Sequence, residues 1–187
     1  MAYRLSPVTR ASLGNAPGVC VGCVFWQSRG GRHAAKERWA ERVEEDWGAW
    51  GTLYQAEGDR LVGFVQYGPS DQFPRGAELP AGPPSADAVL VTCAYLVDLS
   101  SPWVLQSLFL AAIGEVRDRG IKAIETFGYR YPDGATSYER VLVHRTVFPA
   151  DFLADVGFYP VRWEGDVCLA RLELGGLVPV EEKAPAK

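Results

Sequence analysis

The chain has 187 residues, of which 48% are hydrophobic and 22% charged. This composition is typical of one globular domain rather than a disordered or fibrous chain. The net charge is -4, with 19 Lys and Arg against 23 Asp and Glu, so the chain lacks the basic excess that nucleic-acid binding requires. The N-terminus has no signal-like apolar core and no long apolar stretch follows it, which predicts a cytoplasmic protein that does not bind membranes.

The first fifty residues predict a strand, a connection and a helix. Residues 3–7 can form the strand, and the glycines and proline of residues 13–23 predict a turn-rich connection. Between residues 33 and 50, apolar side chains recur at helical spacing while charged ones such as Lys36 occupy the other faces, which predicts an amphipathic helix that ends near Gly51. The apolar positions of this helix are Trp39, Val43, Trp47 and Trp50.

A hairpin and a long loop follow the predicted helix. Residues 52–57 and 60–69 are strand-like, and the turn pair Gly58-Asp59 joins them. Residues 70–87 contain four prolines and predict a polar loop on the surface.

The segment from residue 88 to residue 128 predicts a βαβ unit. Residues 88–97 form a continuous apolar, β-branched run, the pattern of a strand covered on both faces. The next helix is apolar nearly all round and ends at Gly120, so we expect it to be largely buried. Residues 121–128 predict a second strand, parallel to the first. The apolar helix positions are Trp103, Val104, Leu105, Leu108, Phe109, Leu110, Ile113 and Val116.

The last part of the chain predicts a short helix and a hairpin. Residues 149–158 indicate a helix that opens at a proline and stops at a glycine, and residues 158–163 and 167–174 can pair as the hairpin. We expect residues 1–178 to form a single domain and residues 179–187 to form a disordered tail.

This order of elements resembles the GNAT superfamily of N-acyltransferases. Residues 59–69, DRLVGFVQYGP, are similar to its second and third strands, residues 88–98 to its fourth strand, and residues 152–161 to its late helix and following strand. Residues 20–27, with a C-x-x-C-x-F-W motif, and residues 149–158 are similar to an actinobacterial branch of acetyltransferases. The resemblance implies an α/β, GNAT-like fold with a central mixed β-sheet and helices on both faces.

The resemblance also implies acetyl-CoA as the acyl donor. GNAT enzymes hold its pyrophosphate in a loop of the form Q/R-x-x-G-x-G/A, where glycines let backbone N–H groups approach the phosphates at a helix N-terminus. The corresponding residues 99–106 read LSSPWVLQ, without Gly or Arg. Ser100 and Ser101 can cap the helix, and the helix start through Trp103 and Val104 is the predicted phosphate site. The alternative is that this segment is only a helix cap.

Two further features of the family concern the thioester. Backbone groups of the strand end, at Cys93, Tyr95 and Val97, are expected to align it. Many GNAT enzymes place a Tyr four residues before the glycine of a Gly-Phe pair, where its hydroxyl can protonate the departing thiolate. Leu153 stands at that spacing before Gly157, so the chain lacks this proton donor.

Glu125 is a carboxylate inside an apolar strand. If it lies where the two central strands diverge, it can accept a proton from an amine directly or through water, as a general base. The alternative is a sheet residue whose side chain faces solvent or a helix end.

Two aromatic residues next to loops, Trp26 and Tyr67, are the candidates for the wall of an acceptor groove, because the helical region and first hairpin form one wall of the acceptor cleft in GNAT folds. Core packing is the expected role of Trp39 and Trp47, which stand at helical spacing.

Cys20 and Cys23 form a C-x-x-C pair that could ligate zinc or exchange a disulfide. The other cysteines lie in strand-like segments, and only His33 is near in sequence. We therefore expect thiols that pack or line the substrate wall, with no metal.

The sequence thus predicts a GNAT-like N-acetyltransferase that transfers an acyl group from acetyl-CoA to a small-molecule or protein amine, with a homodimer as the expected assembly. The alternative is an inactive GNAT-fold binding or regulatory module that does not use acetyl-CoA. The lost glycines and the lost tyrosine favour that alternative, whereas the small chemical demand of direct attack by a neutral amine favours the enzyme.

Overall fold

The computed structural model describes residues 3–29, 36–97, 103–131 and 146–176. These residues form eight strands and four helices. The strands are β1 (Tyr3–Pro7), β2 (Gly51–Ala56), β3 (Arg60–Pro69), β4 (Ala88–Leu96), β5 (Ala123–Tyr129), β6 (Phe148–Pro149), β7 (Tyr159–Glu164) and β8 (Val167–Glu173). The helices are α1 (Gly18–Val21), α2 (Lys36–Asp46), α3 (Trp103–Asp118) and α4 (Ala150–Asp155).

The strands form one mixed sheet in the order β1, β2, β3, β4, β5, β8, β7, with the two-residue β6 paired to β5. Neighbouring strands are antiparallel except β4 with β5 and β5 with β6. The predicted βαβ unit and both predicted hairpins are confirmed. The turn of the first hairpin has Gly58 and Asp59 at positive φ, as an Asn- or Gly-type turn pair requires.

One face of the sheet is covered by α3 and α4. Val104, Leu108 and Phe109 of α3 are fully buried against strand residues of this face, and Phe152 and Leu153 of α4 join the same cluster. Helix α3 is less buried than its composition suggests, because Trp103 and Leu110 are 40% and 55% exposed. None of the helices in the described ranges is long and apolar enough to span a membrane.

The other face, here called the α2 face, is covered by α2 and by irregular segments. Trp39 and Val43 of α2 are buried with Trp26 and Trp50 in a second cluster. The loop of residues 70–87 was expected on the surface, yet Phe73 and Ala81 belong to this core. These two apolar side chains cover part of the sheet that no helix of the described residues covers, so the loop contributes to the core although it has no α-helix of its own. Helices thus lie on both faces of a mixed sheet, as predicted.

The predicted end of α2 is wrong. The helix ends at Asp46, and Gly48 adopts φ 96°, a left-handed conformation that closes a helix and that glycine tolerates best. Trp50 is therefore not on the helix. Its backbone N–H donates to Val8 and its carbonyl accepts from Tyr67, so it leads into β2. The start predicted near residue 33 and the tail predicted from residue 179 lie outside the described residues.

Candidate active site

The central strands β4 and β5 separate within the sheet. They are paired from Ala88 with Ala123 to Val91 with Thr126, whereas β4 continues against β3 as far as Leu96. The register between β3 and β4 shifts at this point, because Gln66 pairs with Cys93 and Tyr67 with Val91, which leaves Thr92 as a bulge. An opening therefore begins at Thr92, in the middle of the sheet.

The β4 edge of this opening has backbone groups for a ligand. Val97 donates its N–H to Val62, so the alternation of an antiparallel ladder turns the N–H and C=O groups of Ala94 and Leu96 away from β3 and towards the opening. Among the described residues, β4 has no partner other than β3 and β5. Backbone groups in this arrangement can pair with an extended ligand that carries amide groups.

The β5 edge of the opening is partly occupied by the chain itself. Gly128 and Tyr129 pair with Phe148 and Pro149 of β6. Phe148 is fully buried on the α3 face, with its ring 4.8 Å from that of Phe109. The opening is thus bordered by Thr92 to Leu96 on one side and by β5 with β6 on the other.

A buried polar cluster lies on the α2 face beside the bulge. Lys36 donates from Nζ to Oε1 of Gln66, which also accepts from Nε2 of Gln27 at 3.2 Å. Gln66 Nε2 in turn donates to Oγ1 of Thr92 at 2.7 Å. All four side chains belong to buried residues, so a continuous hydrogen-bonded chain connects the first turn of α2 to the bulge of β4.

The Lys36 amine is enclosed by aromatic rings. Its Nζ lies 4.5 Å from the ring centroid of Trp39 and 5.2 Å from that of Trp50, distances at which a cation is attracted by the ring faces. Burial lowers the pKa of Lys36 from 10.5 to about 8, against the opposing effect of the nearby thiols of Cys93, Cys23 and Cys20. Burial also raises the pKa of the Cys93 thiol to about 12.

Cys20 lies on the one-turn α1, and the N–H of Cys23 donates to its carbonyl. None of the four cysteines forms a disulfide. Within the described ranges, no three His, Cys, Asp or Glu side chains are arranged to hold a metal ion.

Trp26, a predicted substrate residue, lies on the α2 face at the β5 side of the opening. Its ring stacks on that of Phe127, with centroids 5.9 Å apart, and Phe127 directly follows the last β5 residue that pairs with β4. The indole is only 2% exposed, and its Nε1 has no hydrogen-bond partner among the described residues. The indole N–H is thus enclosed, and Trp26 reaches the opening only through the ring contact with Phe127.

Tyr67, the other predicted groove residue, is in the core instead. It is fully buried on the α3 face, where its hydroxyl contacts Thr52 at 3.0 Å and donates to Glu115 at 2.9 Å. Burial raises its pKa. The period of two along β3 turns Tyr67 to the face opposite Gln66, so Gln66 takes the position that was expected for Tyr67.

Glu125, the predicted base, is completely buried and bound on both oxygens. Oε1 accepts from Ser85 Oγ at 2.7 Å and from Arg171 at 3.1 Å, and Oε2 accepts from the Ser85 N–H at 2.8 Å. Its register partner Leu90 lies before the strands separate. A carboxylate in this position joins the covering loop to the sheet and has no exposed surface at the opening, so the geometry does not fit a general base.

The predicted cofactor residues are in four kinds of environment. The backbone groups of Cys93, Tyr95 and Val97 were expected to align the thioester, but the alternation that turns Ala94 and Leu96 to the opening turns these three towards β3. The side chains of Cys93 and Tyr95 pack against the cluster of the α2 face, and Val97 is half exposed. Trp103 contacts the rings of Tyr3 and Tyr54, at 5.1 and 5.8 Å between centroids, towards β1 and β2 and away from the opening. Val104 is fully buried over Gly63 of β3, and Ser100 and Ser101 lie outside the described residues.

Leu153 stands four residues before Gly157, where many GNAT enzymes have a tyrosine. It is 1% exposed on α4 and packs on Gly128 of β5, where an added Cβ would lie 3.1 Å from its Cδ1. It packs at the β5 edge of the opening without offering a proton.

The cluster of Lys36, Gln66 and Thr92 was missed in the sequence because Lys36 was assigned to a solvated helix face. A signal was present in the strands, however. Gln66 and Thr92 are the polar members of two otherwise apolar runs, and polar residues in a buried strand need partners. A search for such partners would have indicated a polar side chain on the covering helix.

The fold is similar to those of several solved acetyltransferases. No protein-family model and no curated protein sequence matches the chain. A GNAT-family acetyltransferase from Listeria monocytogenes superposes with a TM-score of 0.54 at 12% identity, over 92% of this chain and 95% of that one. The N-acetyltransferase PaiA from Thermoplasma acidophilum, in complex with coenzyme A, gives 0.53 at 14% identity, over 92% and 99% of the two chains. YncA from Salmonella typhimurium, with its cofactor acetyl-CoA, gives 0.53 at 14% identity, over 96% and 98%. The chain therefore has the mixed α/β fold of the GNAT acetyltransferases.

Proposed function

We propose that the chain is a member of the GNAT superfamily, of the actinobacterial branch that residues 20–27 resemble, and that it transfers an acyl group from acetyl-CoA to an amine. The observation that carries this proposal is the opening between β4 and β5, with the backbone of Ala94 and Leu96 directed into it. PaiA and YncA share this fold and are described with coenzyme A and acetyl-CoA, which supports the same ligand here.

Acetyl-CoA would supply the activated acyl group as a thioester. The β4 edge would bind and orient its pantetheine arm, since two residues with outward N–H and C=O groups suit an extended amide chain. Trp26 would border the acceptor side with its ring, which stacks on Phe127 beside the point where β4 and β5 separate. Orientation of the reactants would contribute most of the rate enhancement, because neither Glu125 nor Leu153 provides a proton-transfer group at the opening.

Calorimetric titration of the full chain with acetyl-CoA tests the proposal. We expect a dissociation constant of millimolar or below, contributed mainly by the pantetheine arm, because residues 99–106 offer no glycine for close phosphate contact. S-acetylpantetheine, which lacks the phosphates, should bind within roughly tenfold of acetyl-CoA, a difference of about 1.4 kcal/mol. Adenosine 3′,5′-bisphosphate should bind much more weakly than either.

Absence of heat and of thermal stabilisation at saturating acetyl-CoA would refute the acyltransferase. That result would instead support the second candidate, an inactive binding module. The burial of Leu153 at the tyrosine spacing favours this candidate.

A further inference from the structure

Lys36 is a buried amine that the proposed transfer reaction does not use. The residue is 6% exposed, and its ammonium is held by Gln66 and by the faces of Trp39 and Trp50. Burying a charge of this kind is costly, and its hydrogen-bond partners, the amides of Gln66 and its neighbours, carry no opposite charge to compensate it.

Hydrogen bonds connect the Lys36 amine to the edge of the opening. Gln66 connects it to Thr92, the bulge at which β4 leaves β5. The thiol of Cys93, the next residue of β4, is close enough to Lys36 for each group to affect the charge of the other. Lys36 therefore lies on the α2 side of the opening, on the same face of the sheet as Trp26.

The state of the amine suits attack on an acyl group. A lysine is a nucleophile only when neutral, and desolvation is a common means of activating it. With a pKa of about 8, about a tenth of Lys36 is neutral at pH 7, compared with about one part in three thousand for a lysine of ordinary pKa. Among the described residues, the groups facing it are the thiols of Cys20, Cys23 and Cys93 together with the neutral amides of Gln27 and Gln66.

The product of such an attack also fits the surroundings. An acetylated lysine carries no charge, so the desolvation cost of the buried ammonium disappears. Its amide keeps one N–H, which can still donate to Oε1 of Gln66.

We propose that Lys36 is a self-acylation site, at which the chain accepts an acetyl group from its own bound acetyl-CoA. This inference rests on the proposed function. The neutral Nζ attacks the thioester carbonyl carbon, the N–C bond forms and the C–S bond breaks. The proton lost by the nitrogen ends on the CoA sulfur, so the products are N-acetyl-Lys36 and free CoA. The reaction requires no oxidant or further co-reactant.

The test is a time course of the full chain with acetyl-CoA, followed by peptide mapping with mass spectrometry. Wild type is compared with Lys36→Arg and with Lys122→Arg, which removes an exposed lysine before β5. Lys36 should be modified roughly tenfold or more faster than Lys122, as expected for a positioned amine. The rate should not depend on protein concentration, should fall in excess free CoA, and should rise with pH through about 8.

A second measurement determines the reactivity of the Lys36 amine in the absence of acetyl-CoA. Trace labelling with acetic anhydride over a range of pH gives the relative reactivity of Lys36 and Lys122 in the folded wild type, so it does not depend on the folding of a variant. We expect Lys36 to become reactive at lower pH than Lys122.

The outcomes separate the two proposals. If acetyl-CoA binds but Lys36 stays unmodified, or if Cys20, Cys23 or Lys122 carries the acetyl group in equal amount, the self-acylation is refuted and the acyltransferase stands. A Lys36 that fails to react with acetic anhydride refutes it as well. If acetyl-CoA does not bind, the proposed function fails and this inference fails with it.

Discussion

At the scale of single residues, Lys36 makes the stability of the protein depend on pH. Its pKa is lowered from 10.5 in the unfolded chain to about 8 in the folded one, so the unfolded chain binds more protons between these two values. Stability therefore rises with pH across this window, and the full penalty, about 3 kcal/mol, is present below pH 8.

Replacing Lys36 by methionine should remove this penalty while filling a similar volume. We expect Lys36→Met to be more stable than wild type at pH 7, and the difference to shrink by about 2 kcal/mol by pH 10. Urea unfolding at both pH values measures the difference. Burial raises the pKa of Cys93 to about 12 and Lys36 opposes that rise, so Cys93 does not cancel between the two proteins above pH 9, and a Cys93→Ser background is used for both. A difference that does not change with pH would contradict the lowered pKa.

At the scale of elements, a glycine of β3 controls how closely α3 packs on the sheet, and a glycine within α3 does not. A Cβ at Gly63 of β3 would lie 2.9 Å from Val104 Cγ1 and 3.0 Å from Leu108 Cδ1, whereas a Cβ at Gly114 of α3 would have no neighbour within 4 Å. Gly63 thus allows the helix to approach β3 closely, and Gly114 only weakens the helix.

The two glycines predict opposite effects of the same substitution. Gly63→Ala should destabilise the protein by about 1–3 kcal/mol, because either α3 must move away from β3 or the side chains of Val104 and Leu108 must adopt other rotamers. Gly114→Ala should stabilise it by up to about 1 kcal/mol, through helix propensity. Thermal unfolding of both variants checks the signs. Equal effects would mean that α3 does not pack on β3 as closely as described.

The elements themselves were largely predictable from the sequence. The periodicities of β4, β5 and both hairpins, with their turn residues, were sufficient to identify each element and the βαβ unit, because these signals are local. The end of α2 was missed since Trp50 continues the helical spacing by coincidence, while Gly48 stops the helix. The pairing of β6 with β5 had no local signal, because two residues carry no period.

The candidate site was less predictable because it depends on contacts between distant segments. Trp26 was expected beside the acceptor, and this role stays a prediction. Its ring stacks on Phe127, the residue after the last β5 residue that pairs with β4. The register of β3 decides whether Tyr67 or Gln66 faces α2, because a shift of one residue exchanges the two faces of a strand. That register shifts by one residue at the bulge. The partners of Glu125 come from a loop 40 residues before it and a strand 46 residues after it, a separation at which sequence patterns say nothing.

At the scale of the whole molecule, Glu125 joins the covering loop to two strands. Ser85 comes from the loop of residues 70–87, Glu125 from β5 and Arg171 from β8. Arg171 also contacts Asp87 and Glu173. Arg162 of β7 donates to the carbonyls of Ala81 and Pro83 in the same loop. Since Phe73 and Ala81 of this loop complete the core of the α2 face, the network holds that core closed.

Glu125→Gln should therefore destabilise the whole domain rather than affect chemistry alone. The amide has one acceptor oxygen where the carboxylate has two, so its NH2 faces a donor, either Arg171 or the Ser85 N–H. Loss of one partner of a buried charged pair typically costs about 3–5 kcal/mol. Glu173→Gln is the matched control, because Glu173 contacts the same arginine but is exposed, and it should change stability little. Chemical denaturation of the two variants, with acetyl-CoA titration of each at low temperature, distinguishes the roles. A Glu125→Gln protein that keeps wild-type stability would contradict the structural role and return Glu125 to consideration as the catalytic base.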